Sequence, residues 1–210
     1  MVGVRWCKNC QQETKEIKPP ICDICGQPAQ LNRVCTRCKT SHPHCKAVRA
    51  WAEFNGPIRN TIHDLKYQKN IAFGAALAKP LVRLFHQYDW PVDLVTPVPF
   101  GKERQIQRGY NQAALLAQPL AHELQLPYNP NILRRVKETQ SQVDLPFAER
   151  QNNVKDAFLA IYQSIQGEEI LIIDDVTTSG STINACADVL MKAGTKAVFD
   201  LTVARLVLHN

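Results

Sequence analysis

The chain has 210 residues, of which 45% are hydrophobic and 21% are charged, and its formal net charge is +6. This length and composition predict a globular protein with one moderate domain and room for a small appended module. No run of about 18 uncharged apolar residues occurs, and the opening MVGVRWCKNC lacks the apolar core of a secretory signal. We therefore expect no membrane insertion and a cytoplasmic location. The positive charge suits an anionic ligand or a nucleic acid but requires neither.

Seven of the eight cysteines lie within the first 45 residues. They form three pairs with a two-residue gap and one single residue: Cys7 and Cys10, Cys22 and Cys25, Cys35 and Cys38, and Cys45. In a chain without a secretory signal, such pairs are typical of metal ligands rather than disulfides, because the gap lets both thiolates of a tight turn face one tetrahedral zinc. The second and third pairs together predict a closed, structural zinc site.

The first pair, Cys7 and Cys10, lacks an obvious partner pair. Three residues further along could supply the missing ligands of a second, mixed zinc site: His42, His44 and Cys45. Alternatively, the first pair shares a zinc with the second pair, or its members are free thiols. Spacing does not decide between these interpretations.

After the cysteine-rich residues 1–46, the pattern changes to that of an α/β domain over 47–210. The predicted helices and strands are, in order, helix 56–68, helix 71–88 with a kink or a break at Pro80, strand 92–99, helix 111–126 with Pro119 inside it, strand 168–174, helix 181–194 and strand 196–208. This alternation predicts a mostly parallel sheet with right-handed crossovers. Ligands of such sheets bind at the carboxyl ends of the strands.

The segment ILIIDDVTTSGST lies at such a strand end. Asp174 and Asp175 close the strand, and the turn into the next helix follows: Val176, Thr177, Thr178, Ser179, Gly180, Ser181 and Thr182. A glycine-bearing turn at a helix N-terminus predicts a cradle for a phosphate. The carboxylates would repel a phosphate but accept hydrogen bonds from sugar hydroxyls, and they would stabilise an oxocarbenium-like sugar. The pattern therefore favours a ribose 5-phosphate as ligand.

Two other interpretations of this segment are weaker. A Walker B strand requires a G-x-x-x-x-G-K-[ST] loop, which the chain lacks. An ordinary strand with acidic residues at its turn would explain a lone pair of aspartates, but not the whole pattern from Ile170 to Thr182.

The same segment resembles the binding signature for phosphoribosyl pyrophosphate (PRPP) in type I phosphoribosyltransferases. IHDLKYQKN, TPVPFGKERQIQRGYNQAALLAQPLAHELQLP and ILRRVKETQSQVDLPFAERQNNVKDAFL resemble the ComF/GntX family of competence-associated phosphoribosyltransferase-like proteins. That family also carries an N-terminal double zinc ribbon, which matches CDICGQP and CTRC. The resemblance covers nearly the whole chain. It implies an α/β type I phosphoribosyltransferase fold preceded by a small zinc-ribbon module.

One feature of the family has no counterpart in this chain, namely a cysteine pair before the one matched by Cys7 and Cys10. The first ribbon is therefore either incomplete or completed by the three residues named above.

The resemblance also implies roles for particular residues. Asp174 and Asp175 are catalytic and, with residues 176–182, bind PRPP, which this class binds as its Mg²⁺ complex. The loop TPVP at residues 96–99, which contains Pro97, Val98 and Pro99, turns its backbone amides toward the leaving pyrophosphate. Three cations neutralise that group: Lys66, Arg104 and Arg108. For each cation a solvated surface position is the competing interpretation, and Asn111 could simply cap a helix.

Two functional hypotheses follow from the resemblance. The first is an enzyme that transfers phosphoribose from PRPP to an unidentified nitrogen acceptor and releases pyrophosphate. The second is a non-catalytic, zinc-bearing adaptor in the uptake of transforming DNA, which binds a competence helicase and single-stranded DNA. A homodimer is compatible with both.

Overall fold

The computed structural model describes residues 8–30, 33–101, 106, 108–137, 154, 156–161 and 165–207. Its helices are α1 (Lys8–Glu13), α2 (Thr36–Ser41), α3 (Gly56–Tyr67), α4 (Ala72–Phe85), α5 (Gln112–Leu124) and α6 (Ser181–Lys192). Its strands are β1 (Ala47–Glu53), β2 (Leu94–Pro97), β3 (Leu133–Arg135), β4 (Phe158–Ala160), β5 (Glu169–Thr177) and β6 (Ala197–Arg205). In this part of the chain, no helix has the length and apolar character needed to cross a membrane.

The central sheet has the strand order β1-β6-β5-β2, and all three strand pairs are parallel. Every residue of β6 is buried, and so are the first five residues of β5. Continuous burial is expected for parallel strands whose two faces are both covered, which explains why these strands read as unbroken apolar runs. The predicted α/β class, with a parallel sheet flanked by helices, is confirmed.

Alternate residues of the central strands pack against two different layers. Helices α3, α4 and α5 cover the face that carries Leu171, Ile173, Phe199 and Leu201. Helix α6 and the antiparallel pair β3–β4 cover the face that carries Ile170, Ile172 and Val198. Cys186 of α6 lies in this second core with no exposed surface.

Helix α4 runs unbroken through Pro80, although the sequence predicts a kink or a break there. An internal proline costs roughly 3 kcal/mol. Burial of Leu77 and Leu81, neither of which has any exposed surface, stabilises the helix by about 1.5–3 kcal/mol each and offsets that cost. The packing is close: a Cβ at Gly74 would lie 2.7 Å from the Leu115 carbonyl oxygen of α5.

The residues before β1 are hydrogen-bonded to the free edge of the sheet. The N–H of Ile17 donates to the Trp51 carbonyl at 2.9 Å, and the N–H of Glu53 donates to the Lys15 carbonyl at 2.9 Å. The N–H of Val48 donates to the Ile24 carbonyl at 2.7 Å. The edge of β1 is thus paired rather than open to another strand, and the cysteine-rich segment is fixed to the sheet by its backbone.

A carboxyl group lies inside the sheet. Asp200 of β6 has no exposed surface, and Thr202 Oγ1 donates to its Oδ2 at 2.7 Å. Burial raises the pKa of Asp200 from 3.8 to about 7, although the Thr202 hydroxyl and the Arg205 charge act in the opposite direction. Asp200 therefore opposes folding when it ionises.

We expect the Asp200→Asn variant to change how stability depends on pH. As pH rises from about 4 to about 7, the unfolded chain loses the Asp200 proton before the folded chain does, so this group lowers the free energy of unfolding. The parent should therefore lose up to about 4 kcal/mol relative to the variant over that window. Urea unfolding of both proteins at a series of pH values measures the difference. A difference that is independent of pH would contradict the buried, protonated carboxyl.

Candidate functional site

Four cysteines lie together in the N-terminal part: Cys22, Cys25, Cys35 and Cys38. Their Sγ atoms are all within 4.8 Å of one another, and the Sγ atoms of Cys25 and Cys35 are 3.8 Å apart. A tetrahedral zinc with Zn–S bonds of about 2.3 Å requires S–S separations of about 3.8 Å, whereas a disulfide requires about 2.05 Å. The geometry and the donor set therefore fit a structural zinc ion.

The knuckle that holds Cys22 and Cys25 is a tight backbone turn. The N–H of Gly26 donates to the Cys22 carbonyl at 2.9 Å, and Gly26 has a φ of +68°. Burial alone would raise the pKa of Cys22, but the backbone N–H groups of Cys35, Cys25 and Ile24 lower that pKa to about 6. These N–H groups therefore favour the thiolate of Cys22, which is the form that binds zinc, whereas burial raises the pKa of Cys25 in the same turn.

The other predicted zinc ligands have different surroundings. Cys7 lies outside the described residues, and Cys10 belongs to α1. The Cys45 thiol is buried in the core beside the Val198 carbonyl at 3.3 Å, and His44 Nε2 lies 3.5 Å from Asp188 Oδ1. His42 ends α2 in a left-handed conformation. Within the described ranges no second group of three or more ligands forms, so a second zinc site stays a prediction.

We expect Gly26→Ala to weaken zinc binding more than Gly167→Ala does. Both glycines have positive φ values, +68° and +92°, so each substitution adds a backbone strain of about 1–2 kcal/mol. Only at Gly26 would the new Cβ meet an atom, the Val48 carbonyl oxygen at 2.4 Å. The measurement is competition for zinc with a chromogenic chelator, together with the thermal unfolding midpoint. Equal effects of the two variants would contradict this account of the knuckle.

Asp174 and Asp175 lie within β5 and not after its end. The pairing of β5 with β6 continues to Thr177 opposite Arg205, whereas the pairing with β2 ends at Ile173 opposite Pro97. The sequence predicts a strand that ends at residue 174. The strand is longer because β6 is long enough to pair with three more residues. The two aspartates therefore lie on the part of β5 that extends past the end of β2 and does not pair with it.

The last turn of α3 brings a cation to this acidic pair. Lys66 Nζ lies 2.6 Å from Asp175 Oδ2, and the two side chains are 24% and 11% exposed. The ion pair is therefore largely shielded from solvent and is stronger than a surface pair. Two residues that are far apart in sequence and were both predicted for the site are in direct contact.

The segment before α5 attaches to the same end of α3. The Tyr110 hydroxyl donates to the Leu65 carbonyl at 2.6 Å, and the Arg108 guanidinium lies over the Tyr67 ring at 4.9 Å from its centre. Arg108 also donates to Gln112 Oε1 at 3.2 Å. Arg108 is thus placed beside α3 by its aromatic neighbour. Arg104 lies outside the described residues.

The loop of Pro97, Val98 and Pro99 is fixed beside the aspartates. The N–H of Val98 donates to the Ile173 carbonyl at 2.9 Å, and Asn111 Nδ2 donates to the Val98 carbonyl at 3.0 Å. Since proline has no N–H and the Val98 N–H is bonded to Ile173, these three residues offer no free backbone amide, and the role of the loop at a pyrophosphate stays a prediction. Asn111 also accepts a hydrogen bond from the Ala113 N–H, which confirms that it caps α5.

The serine- and glycine-bearing turn after β5 leads directly into α6. Gly180 has a φ of +77°, and α6 begins at Ser181. The hydroxyls of Ser179 and Ser181 are 2.8 Å apart, and the Ser181 N–H donates to Ser179 Oγ at 3.3 Å. Thr177 is buried, as both serines are, while Val176, Thr178 and Thr182 are partly exposed. We call residues 177–182 the serine loop.

The environment of Asp174 disfavours its charge. Removal from water raises its pKa well above the usual value, and the nearby carboxyls of Asp175 and Asp200 raise it further. The Asp175 N–H, which donates to Asp174 Oδ1 at 2.8 Å, and the Lys66 charge act in the opposite direction. Such a carboxyl at the open end of a sheet is a candidate for binding or catalysis.

The fold and these residues define an α/β protein with a paired-carboxylate site and a cysteine cluster suited to zinc. No family model matches the chain. It is 32% identical over 201 residues to competence protein F of Haemophilus influenzae, and 31% identical over 198 residues to DNA utilization protein YhgH of Salmonella typhi. Each alignment covers 91% of this chain and 86% of the relative. The chain belongs to the family of competence protein F and DNA utilization protein YhgH.

Further similarities are more distant. Competence protein ComFC of Bacillus subtilis is 26% identical over 201 residues, with 91% of this chain and 80% of the relative covered. Among solved structures, glutamine PRPP amidotransferase from B. subtilis has a TM-score of 0.42 and 19% identity, and covers 62% of this chain and 26% of its own. Orotate phosphoribosyltransferase from Aeropyrum pernix has a TM-score of 0.40 and 18% identity, with 75% and 68% covered.

Proposed function

We propose that this chain binds PRPP at the carboxyl end of β5. The observation that carries the proposal is the order of groups along one piece of backbone. Two carboxylates, Asp174 and Asp175, lie where β2 no longer covers the strand, and the serine loop follows at once at the N-terminus of α6. The helix N-terminus suits the 5-phosphate, and the carboxylates suit the ribose hydroxyls.

Lys66 reduces the electrostatic repulsion between the two carboxylates and a phosphate ligand. A diphosphate would be repelled by two carboxylates, but Lys66 lies 2.6 Å from Asp175 and supplies a compensating positive charge. When ligand binds, the Lys66 ammonium can interact with phosphate oxygens while Asp175 accepts from a hydroxyl. Carboxylates and phosphate oxygens are also the donors that Mg²⁺ prefers, so this donor set suits PRPP bound together with that cation.

We further propose a role in the handling of DNA, because the relatives at 31–32% identity are named for competence and for DNA utilization. Within that role, the chain transfers phosphoribose to a nitrogen acceptor and releases pyrophosphate. Asp174 and Asp175 would stabilise the positive charge that develops on the sugar. The second candidate is a non-catalytic adaptor that contacts a helicase and single-stranded DNA through the cysteine-rich residues 1–46, which we call the cysteine module. The net charge of +6 favours contact with a polyanion.

We expect the parent to bind Mg-PRPP in calorimetric titrations, and the Asp174→Asn/Asp175→Asn variant to bind at least about tenfold more weakly, because charged hydrogen-bond acceptors are lost. The control Asp89→Asn/Glu123→Gln removes two carboxyl groups from exposed positions and should bind as the parent does. If the parent does not bind, the PRPP proposal is wrong and the adaptor remains. If both variants lose affinity equally, net charge and not the site governs binding.

Binding should release a proton. Because its pKa is raised, Asp174 keeps its proton in the free protein to a higher pH than an ordinary aspartate does, whereas sugar hydroxyls and a cation favour the carboxylate. Affinity should therefore rise with pH until Asp174 is ionised in the free protein. Titrations in buffers of different ionisation enthalpy count the protons released. Asp174→Asn should abolish the release while Asp175→Asn keeps it, and proton uptake by the parent would contradict the assignment.

A further inference from the structure

The cysteine cluster and the serine loop are in direct contact. Arg37 lies on α2 between Cys35 and Cys38, and its guanidinium donates to the Ser179 carbonyl. A cavity lies beside this hydrogen bond. Cys25, Arg37 and Ser41 line it on one side, and the turn 179–181 lines it on the other. Arg37, which bridges the two parts, therefore belongs to α2, and Cys35 and Cys38 set the position of that helix.

Two more contacts join the cysteine-rich segment to residues next to the serine loop. Gln27 Nε2, one residue beyond the knuckle glycine, donates to the Leu206 carbonyl at 3.1 Å, and the Leu206 N–H donates to the Thr177 carbonyl at 3.0 Å. Beyond the other end, the His44 N–H donates to Asn184 Oδ1 at 2.8 Å. The cysteine-rich segment thus contacts the middle of the serine loop through Arg37, approaches its start by way of Leu206, and contacts the first turn of α6 at Asn184.

The contact in the middle has a directional effect. The peptide bond between Ser179 and Gly180 is planar, so its C=O and its N–H point in opposite directions. Because Arg37 holds the Ser179 carbonyl on the side of the cysteine module, the Gly180 N–H points away from that module. A hydrogen bond from a guanidinium is charge-assisted and stronger than a neutral one. One side chain can therefore set the orientation of a peptide at the centre of the loop.

We propose that Arg37 is a positioning residue for the serine loop: the cysteine module fixes Arg37, and Arg37 fixes the orientation of the 179–180 peptide. Its effect on a phosphate ligand rests on the proposed function, whereas its effect on the loop does not. The module then contributes to the shape of the ligand site in addition to closing the edge of β1. A purely local role in holding α2 in place is the competing explanation.

Hydrogen–deuterium exchange of the full-length, zinc-loaded protein tests the proposal. The Ser181 and Asn184 amides report on the loop, because the first donates to Ser179 Oγ and the second to the Gly180 carbonyl. In Arg37→Ala both should exchange roughly ten- to a hundredfold faster than in the parent. Arg37→Lys should restore part of the protection, since an ammonium can still donate to one carbonyl. The matched control is Lys39→Ala, which removes the same charge from an exposed position of α2.

Two results would overturn the proposal. In the first, Arg37→Ala and Lys39→Ala change the two amides equally. In the second, Arg37→Ala accelerates the amides of β1 and β6 by the same factor, which would indicate general destabilisation. Titration with Mg-PRPP separates this inference from the proposed function. If the parent binds, Arg37→Ala should lower affinity roughly ten- to a hundredfold with an unchanged unfolding midpoint. If the parent does not bind, the proposed function fails, while the exchange result still decides the role of Arg37.

Discussion

The parallel pairing of β5 with β6, continued to Thr177 opposite Arg205, is the constraint on which the rest of the structure depends. It carries Asp174 and Asp175 beyond the end of β2, where their side chains can meet Lys66 from α3. Arg205, which lies opposite Thr177 at the end of β6, donates to the Cys25 carbonyl of the cysteine knuckle. One extended strand pair thus supports the paired carboxylates on one side and the cysteine module on the other.

Charges that are removed from water explain how these parts fit together. Desolvation lowers the pKa of Arg205, while the nearby groups of Cys25 and Asp200 favour its charged form. At the other end of the site, Lys66 Nζ forms an ion pair with Asp175 Oδ2 at 2.6 Å. Because an unpaired buried charge is costly, each of these cations is placed beside an acidic or sulfur partner. The site and the module are therefore linked by electrostatic compensation as well as by backbone hydrogen bonds.

Much of the fold follows from sequence pattern, since apolar runs and helical spacing are local signals. The helices at 56–68 and 111–126 lie within two residues of the observed α3 and α5. The break that the sequence allows at Pro80 does not occur, because the burial of Leu77 and Leu81 is a tertiary effect that the sequence does not display. The sequence predicts an end of β5 three residues before the observed one, because strand length depends on the partner strand. The strands β3 and β4 are three residues each, too short for any periodic signal.

The sequence by itself determined the parallel α/β class, the four-cysteine cluster and the identity of the acidic pair, because spacing and residue type are enough to specify knuckles, buried strands and a glycine-bearing turn. Only the tertiary structure decided that Lys66 pairs with Asp175, that the Val98 amide is occupied by Ile173, that the Cys45 thiol faces the core and that Arg37 reaches Ser179. These contacts join residues between 75 and 153 positions apart along the chain. Such pairings depend on how strands and helices pack, and no local pattern records them.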